Sequence, residues 1–121
     1  MKKILLVDDM EITNFITESF IRNINPAHNV YNFTDPVKAF GEVTTIDPDV
    51  ILLDLNMPEL DGWGFLDRMQ ESQMAYNVYI LSSSTSELDK KRSSTYGNVV
   101  GFLVKPLEED VLSNILETNA R

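Results

Sequence analysis

The chain has 121 residues, 43% hydrophobic and 24% charged, with a formal charge of −9 and no cysteine. That length suits one domain, expected to span 1–121, that buries roughly two thirds of the surface its unfolded form exposes. The absent cysteines exclude a disulfide scaffold or a thiolate zinc site, and the acidic balance argues against nonspecific attachment to nucleic acid or anionic membrane.

In chain order, apolar β-branched runs alternate with helix-length segments, the pattern of βαβ units and a parallel sheet. Met1-Lys2-Lys3 leads straight into a first strand over 3–7, with no cleavage site after it, and a cytoplasmic protein is expected. Ile12, Phe15, Ile16, Phe20 and Ile24 recur at helical spacing and predict a first helix with that face inward. After a second strand over 28–33, Asp35-Pro36 reads as N-cap and first residue of a short helix burying Val37, Phe40 and Val43. The third strand, 50–54, precedes Asp61-Gly62, which opens a helix with Phe65, Leu66 and Met69 inward and Trp63 at its edge. A fourth strand, 77–82, leads to a segment from Ser86 to Tyr96 in which Leu88 is the one large apolar residue before the tyrosine, so low local stability is expected there. The fifth strand, 101–104, precedes a last helix with the stripe Leu107, Val111, Leu112 and Ile115. His28, the lone histidine, is expected at the surface or a strand start, with no catalytic or metal-binding role.

The informative residues stand at strand ends. Asp8-Asp9 close the first strand, Asp54 the third, Ser82 the fourth and Lys105 the fifth. If these strands are neighbours and parallel, their carboxyl ends line one crevice, the place where open α/β sheets hold ligands. Two unit charges about 4 Å apart repel by roughly 4 kcal/mol at an effective dielectric near 20, so clustered carboxylates need a cation or a proton. A hard divalent ion, Mg²⁺, is the expected occupant.

Asp8-Asp9, Asp54 within Asp54-Leu55-Asn56-Met57-Pro58, Asp61-Gly62, Ser82 and Lys105-Pro106 together resemble the receiver domains of two-component response regulators, in order and over the whole chain. The resemblance implies a flavodoxin-like, doubly wound α/β fold: five parallel strands in the order 2-1-3-4-5, with helices on both faces. It implies that Asp54 is the phosphoacceptor, taking a phosphoryl group from a phosphohistidine of a sensor histidine kinase or phosphotransfer protein and becoming an acyl phosphate. Asp9 and Asp54 match direct ligands of Mg²⁺, Asn56 matches the donor of a backbone carbonyl, and Asp8 a ligand acting mostly through water. Lys105 matches the ammonium and Ser82 the switch hydroxyl that contact the phosphoryl group, and Phe102 an aromatic that turns inward once that hydroxyl has moved. Phosphoryl transfer depends on positioning and charge stabilisation, which suits a metal, an ammonium and a hydroxyl. No turnover beyond phosphorylation and dephosphorylation of the chain itself is implied. The phosphorylated form is expected to bind another protein through the fourth helix, fifth strand and fifth helix, and a homodimer is a further expected partner state.

Singly, each of these residues has a structural explanation. Asp54 can cap the helix after it, Asp8 or Asp9 can cap the first helix, and Asp61-Gly62 is turn chemistry in any protein. Ser82 opens the run Ser82-Ser83-Ser84-Thr85, where any hydroxyl can serve a turn, and Phe102 can be plain core. The ordered combination is what is specific. The chain also departs from the family pattern. Between Ser82 and Lys105 it is about one residue longer than usual, the glycine before the fifth strand is displaced, and Val99 stands where a small residue is common. Asn56 and Ser84 match positions that tune the lifetime of the acyl phosphate.

Two other classes share part of the pattern. Haloacid-dehalogenase-like phosphatases place an acid-base aspartate two residues after the nucleophile, where this chain has Asn56, and an amide cannot transfer that proton. Flavodoxin-like FMN carriers cradle phosphate in a Ser/Thr/Gly-rich loop after the first strand, where this chain has Asp8-Asp9.

Overall fold

The computed structural model describes residues 2–83 and 86–118. Strands and helices alternate: β1 (Lys3–Val7), α1 (Glu11–Ile24), β2 (Asn29–Phe33), α2 (Pro36–Ile46), β3 (Val50–Asp54), α3 (Gly62–Glu71), β4 (Val78–Ser82), α4 (Glu87–Ser93), β5 (Val99–Val104) and α5 (Glu109–Thr118). Every strand pairing is parallel, and the sheet order is β2-β1-β3-β4-β5, as the resemblance implies.

Successive side chains point to opposite faces of a strand, so strands that are apolar at every position must be covered on both sides. Leu5, Val7, Ile51, Leu53, Val78 and Ile80 pack with Ala39, Val43 and Ile46 of α2 and Phe65, Leu66 and Met69 of α3. Ile4, Leu6, Val50 and Leu52 pack on the other face with Ile21 of α1 and Leu112, Ile115 and Leu116 of α5. All five residues of β3 are buried, as its central place requires. Phe40 and Phe65 meet edge to face at 5.6 Å and join α2 to α3. Asp35 caps α2 by accepting the N–H groups of Val37 and Lys38, with Pro36 in the first turn, as expected. Among the described residues, no helix is long and apolar enough to cross a membrane.

Three expectations about faces need correction. In α1 the buried residues are Asn14, Thr17 and Ile21, whereas Ile12, Phe15 and Ile16 are 60%, 68% and 46% exposed. A row of residues four apart winds around a helix of 3.6 residues per turn, so the upper part of the predicted stripe faces outward while Phe20 and Ile24 reach the core. In α2, Val37 lies off the buried row of Pro36, Ala39, Val43 and Ile46 and is exposed. His28 does precede a strand, but it is buried: its Nδ1 accepts the Lys2 backbone N–H at 3.0 Å and its Nε2 lies 3.4 Å from Glu117.

The extra residue before Lys105 also finds its place. Val78 pairs with Val99 but Tyr79 pairs with Gly101, so β5 begins earlier than predicted and Val100 is the surplus residue of a bulge. An edge strand absorbs such an insertion most easily. Beyond the bulge the register recovers, with Ser82 opposite Val104, and Lys105 therefore arrives where a shorter chain would put it. Gly101 leaves room for the Tyr79 ring at the bulge: a Cβ there would lie 2.7 Å from that ring and force it to shift.

Candidate functional site

Adjacency of β1, β3, β4 and β5 brings their carboxyl ends together, and with them the residues singled out above. Asp8, Asp54 and Ser82 are buried at 3%, 5% and 0% exposure. Carboxylate oxygens of Asp8, Asp9 and Asp54 all lie within 4.8 Å of one another. The Lys105 ammonium sits between two of these groups, with Nζ 2.9 Å from Asp8 Oδ2 and 3.3 Å from Asp54 Oδ1. Its backbone N–H donates to the Ser82 carbonyl at 2.7 Å, and the Lys105–Pro106 peptide is cis. Ser82 itself ends β4 in the buried rim of the crevice.

The structural explanations of single residues are only partly realised. Asp61, not Asp54, caps α3, accepting the Gly64 N–H at 2.9 Å. Asp8 accepts the Met10 N–H at 2.9 Å, which steadies the turn into α1, but its second oxygen faces Lys105. Asn56 is exposed in the loop after β3, and its backbone N–H is bonded to Asp54. Phe102 is half-buried and packs against the core face that carries α3, next to Ile80 in register. Ser84 lies outside the described residues.

Burial, and then the negative charge of Asp8, push the Asp54 carboxyl up to about 6, against the opposing pull of Lys105 and the Asn56 N–H. Burial alone would lower Lys105, but its hydrogen bond to Asp8 and the charges of Asp54 and Asp8 outweigh that and hold its ammonium above the ordinary lysine range. The result is a buried carboxylate whose affinity for a proton is raised, held beside a cation. The oxygen donors are hard, anionic and close together, which fits a hard divalent ion such as Mg²⁺ and not a soft one.

Two supporting residues escaped the sequence reading. Asn14 is a polar residue on the buried side of α1. It donates to the Asp8 carbonyl at 3.0 Å and the Phe33 carbonyl at 3.2 Å, tying α1 to the ends of β1 and β2. The available signal was the spacing of Asn14, Thr17 and Ile21 on one face of α1, a row that the apolar residues of the helix masked. Gly62 was read as turn chemistry, but its role is close approach: a Cβ would lie 2.6 Å from the Asp54 carbonyl oxygen and 2.7 Å from Leu55 Cα, both backbone atoms. Gly62→Ala is therefore expected to cost about 1–3 kcal/mol in urea unfolding. An unchanged midpoint would show that the loop yields freely.

The comparisons agree with this geometry. Residues 4–117 match the family model of the response regulator receiver domain. The nitrate/nitrite response regulator protein NarL of Escherichia coli K12 is 30% identical over 97% of this chain and 54% of its own length. The cyclic di-GMP phosphodiesterase response regulator RpfG of Xanthomonas campestris is 29% identical over 94% of this chain and 32% of its own. The chain thus spans from about a third to about half of these curated relatives. Among solved structures, the Vibrio cholerae chemotaxis protein CheY4 superposes with TM-score 0.83 and 28% identity over 98% of both chains. The receiver domain of Francisella response regulator 1452 gives TM-score 0.83 and 30% identity over 100% of both. Fold, crevice and family match converge, and the chain belongs to the response regulator receiver domains, the phosphoacceptor modules of two-component signalling.

Proposed function

We propose that Asp54 is the residue that carries the phosphoryl group. The observation that supports this best is its position, a buried carboxylate 3.3 Å from the Lys105 ammonium and clustered with Asp8 and Asp9. An Asp54 carboxylate oxygen attacks phosphorus as the P–N bond to a donor imidazole breaks; the bonding pair stays on the imidazole nitrogen, which takes up a proton. Lys105 pairs with a phosphoryl oxygen, exchanging part of its contact with Asp8 for it. Ser82 offers its hydroxyl from the next strand end. Asp8, Asp9, Asp54 and the Asn56 carbonyl would hold Mg²⁺, which when bound neutralises the crowded carboxylate and phosphoryl charge.

The donor is a histidine kinase or phosphotransfer protein. Met10, Ile12, Phe15 and Ile16 leave an apolar surface on α1, and Ile16 shares a cleft of about 370 Å³ with Lys105, Pro106 and Leu107. A helical donor presenting its histidine beside this surface reaches Asp54 from the open side of the crevice. The output face is formed by α4, β5 and α5. Leu88, Val100 and Val104 are exposed there, at 78%, 51% and 39%, and each can serve as an apolar anchor for a partner. The whole chain acts as one receiver unit, with no catalysis on other substrates.

Intact mass after incubation with Mg²⁺ and acetyl phosphate tests the assignment. Wild type should gain one phosphoryl group and Asp54→Asn none. Equal gain in both would move the acceptor elsewhere, and flavin absorbance or phosphate-ester turnover by the purified protein would favour the other two classes. Amide exchange in α4, β5 and α5 should change on phosphorylation; an unaltered pattern would remove this face from the output.

A further inference from the structure

α4 is held in an unusual way. Its one large apolar residue, Leu88, points to solvent, and within the helix only Ser93 is buried. A helix without an apolar stripe cannot dock by hydrophobic burial along its length. What binds it to the rest of the molecule lies at its C-terminal end. The Arg92 guanidinium sits 4.3 Å from the centre of the Trp63 ring, on the first turn of α3. The same indole stacks on Tyr96, just beyond α4, with centroids 6.1 Å apart and planes 23° from parallel. Tyr96, 8% exposed, donates its hydroxyl to Asp67 of α3 at 2.7 Å. A rod fastened at one end pivots about that end.

The fastening also reaches the phosphoacceptor. Trp63 follows Gly62, whose N–H donates to the Leu55 carbonyl at 2.9 Å and whose Cα abuts the Asp54 main chain so closely that no side chain fits between them. The first turn of α3 therefore rides on the backbone of Asp54. On the other side, Tyr96 and Phe102 belong to the same packed cluster as Trp63.

We propose that Trp63, Arg92, Tyr96 and Asp67 form a latch that clamps the C-terminal end of α4 to α3 and relays phosphorylation from Asp54 to α4 through Gly62, independently of Ser82. The inference rests on Asp54 as the phosphoacceptor. When the phosphoryl group draws in the loop after β3, Gly62 carries the α3 turn with it, the indole shifts beneath Arg92, and α4 reorients about its clamped end. The cation over the ring and the tyrosine hydroxyl set how readily this happens, since each contact is specific to one arrangement of the two helices.

Trp63 is the sole tryptophan, so its emission reports the latch without labelling. The experiment combines intact mass, Trp63 emission and amide exchange on the full chain with Mg²⁺ and acetyl phosphate. In wild type the gain of one phosphoryl group should be accompanied by a change in emission. Arg92→Ala should speed exchange of the α4 amides by about tenfold before phosphorylation, with α1 and α5 unaltered, and should shrink the emission response. Tyr96→Phe, which removes one oxygen and keeps the stack, should act in the same direction more weakly. Ser82→Ala, compared at equal phosphoryl content, should keep the emission response.

Unchanged α4 exchange in Arg92→Ala would overturn the clamp. An emission response of full size in Arg92→Ala would mean that the phosphoryl group acts on the indole directly, and loss of the response in phosphorylated Ser82→Ala would give the whole relay to the serine. Either result defeats the proposal. Absence of any mass gain in wild type is a different failure, seen by mass alone, and would take down the phosphoacceptor reading together with the relay built on it.

Discussion

Replacing Lys105 by methionine is expected to lower the stability of the metal-free protein by about 3 kcal/mol near pH 7.5, with much of the loss recovered on adding Mg²⁺. The reason is geometric. The ammonium lies 2.9 Å from Asp8 and 3.3 Å from Asp54, and both carboxylates are buried. Methionine keeps the bulk of the side chain and removes the only cation within ion-pair distance of either carboxylate among the described residues. Two like charges then remain in a site of low polarity, where breaking a buried pair costs far more than losing a surface one. The Asp54 carboxyl, already raised by burial and by Asp8, would be raised further. Urea unfolding in EDTA and in Mg²⁺ reads the effect. A loss below about 1 kcal/mol in EDTA, or an equal loss with and without Mg²⁺, would show that Lys105 is not what makes the carboxylates tolerable. Phosphoryl uptake from acetyl phosphate should also slow by about a hundredfold, the scale for removing one preorganised donor from a developing charge.

The second large effect concerns Asp54 and pH. Its folded pKa is pushed up to about 6 from an ordinary 3.8, by burial first and then by the charge of Asp8. Below the ordinary value the carboxyl is protonated in both folded and unfolded chains and contributes nothing. Between there and about 6 the folded state keeps a proton that the unfolded state has released, so stability falls as pH rises. Above that range the cost is constant. At about 1.4 kcal/mol per pKa unit, Asp54→Asn should therefore be more stable than wild type by roughly 2–3 kcal/mol at pH 7–8 without metal. The two proteins should converge near pH 3, below the window. Mg²⁺ should cancel most of that difference at neutral pH, because an ion that binds only the folded, deprotonated site stabilises wild type by about 2.7 kcal/mol at a hundred times its dissociation constant. Parallel unfolding midpoints for the two proteins across pH 4–8 in EDTA would contradict the assigned shift.

Both effects follow from a site whose members were visible in the chain before their geometry was. Strand-length apolar runs end where a charged or polar residue first appears, so Asp8-Asp9, Asp54, Ser82 and Lys105 could be placed at strand ends by reading alone. The βαβ alternation made those strands parallel, and parallel strands carry their ends to one side. The helix cap Asp35 and the helix start at Asp61-Gly62 were equally legible, because both depend on residues within one turn. The α1 face was not. Its apolar residues lie on more than one side, and the burial of Asn14 answers to two carbonyls, of Asp8 and Phe33, that only the assembled strands present.

Composition and local spacing thus determined the element types, their order along the chain, the parallel sense of the strands and which charged residues close them, while the strand order that joins those ends in one crevice was legible only through the family resemblance. Tertiary structure alone decided that Val100 would take up the surplus residue, that His28 would be buried against Lys2 and Glu117, and that α4 would hang from Trp63. Those outcomes join residues far apart in the chain, 89 positions for His28 and Glu117 and 29 for Tyr96 and Asp67. Their meeting depends on how whole crossovers pack, which no periodicity within one segment encodes.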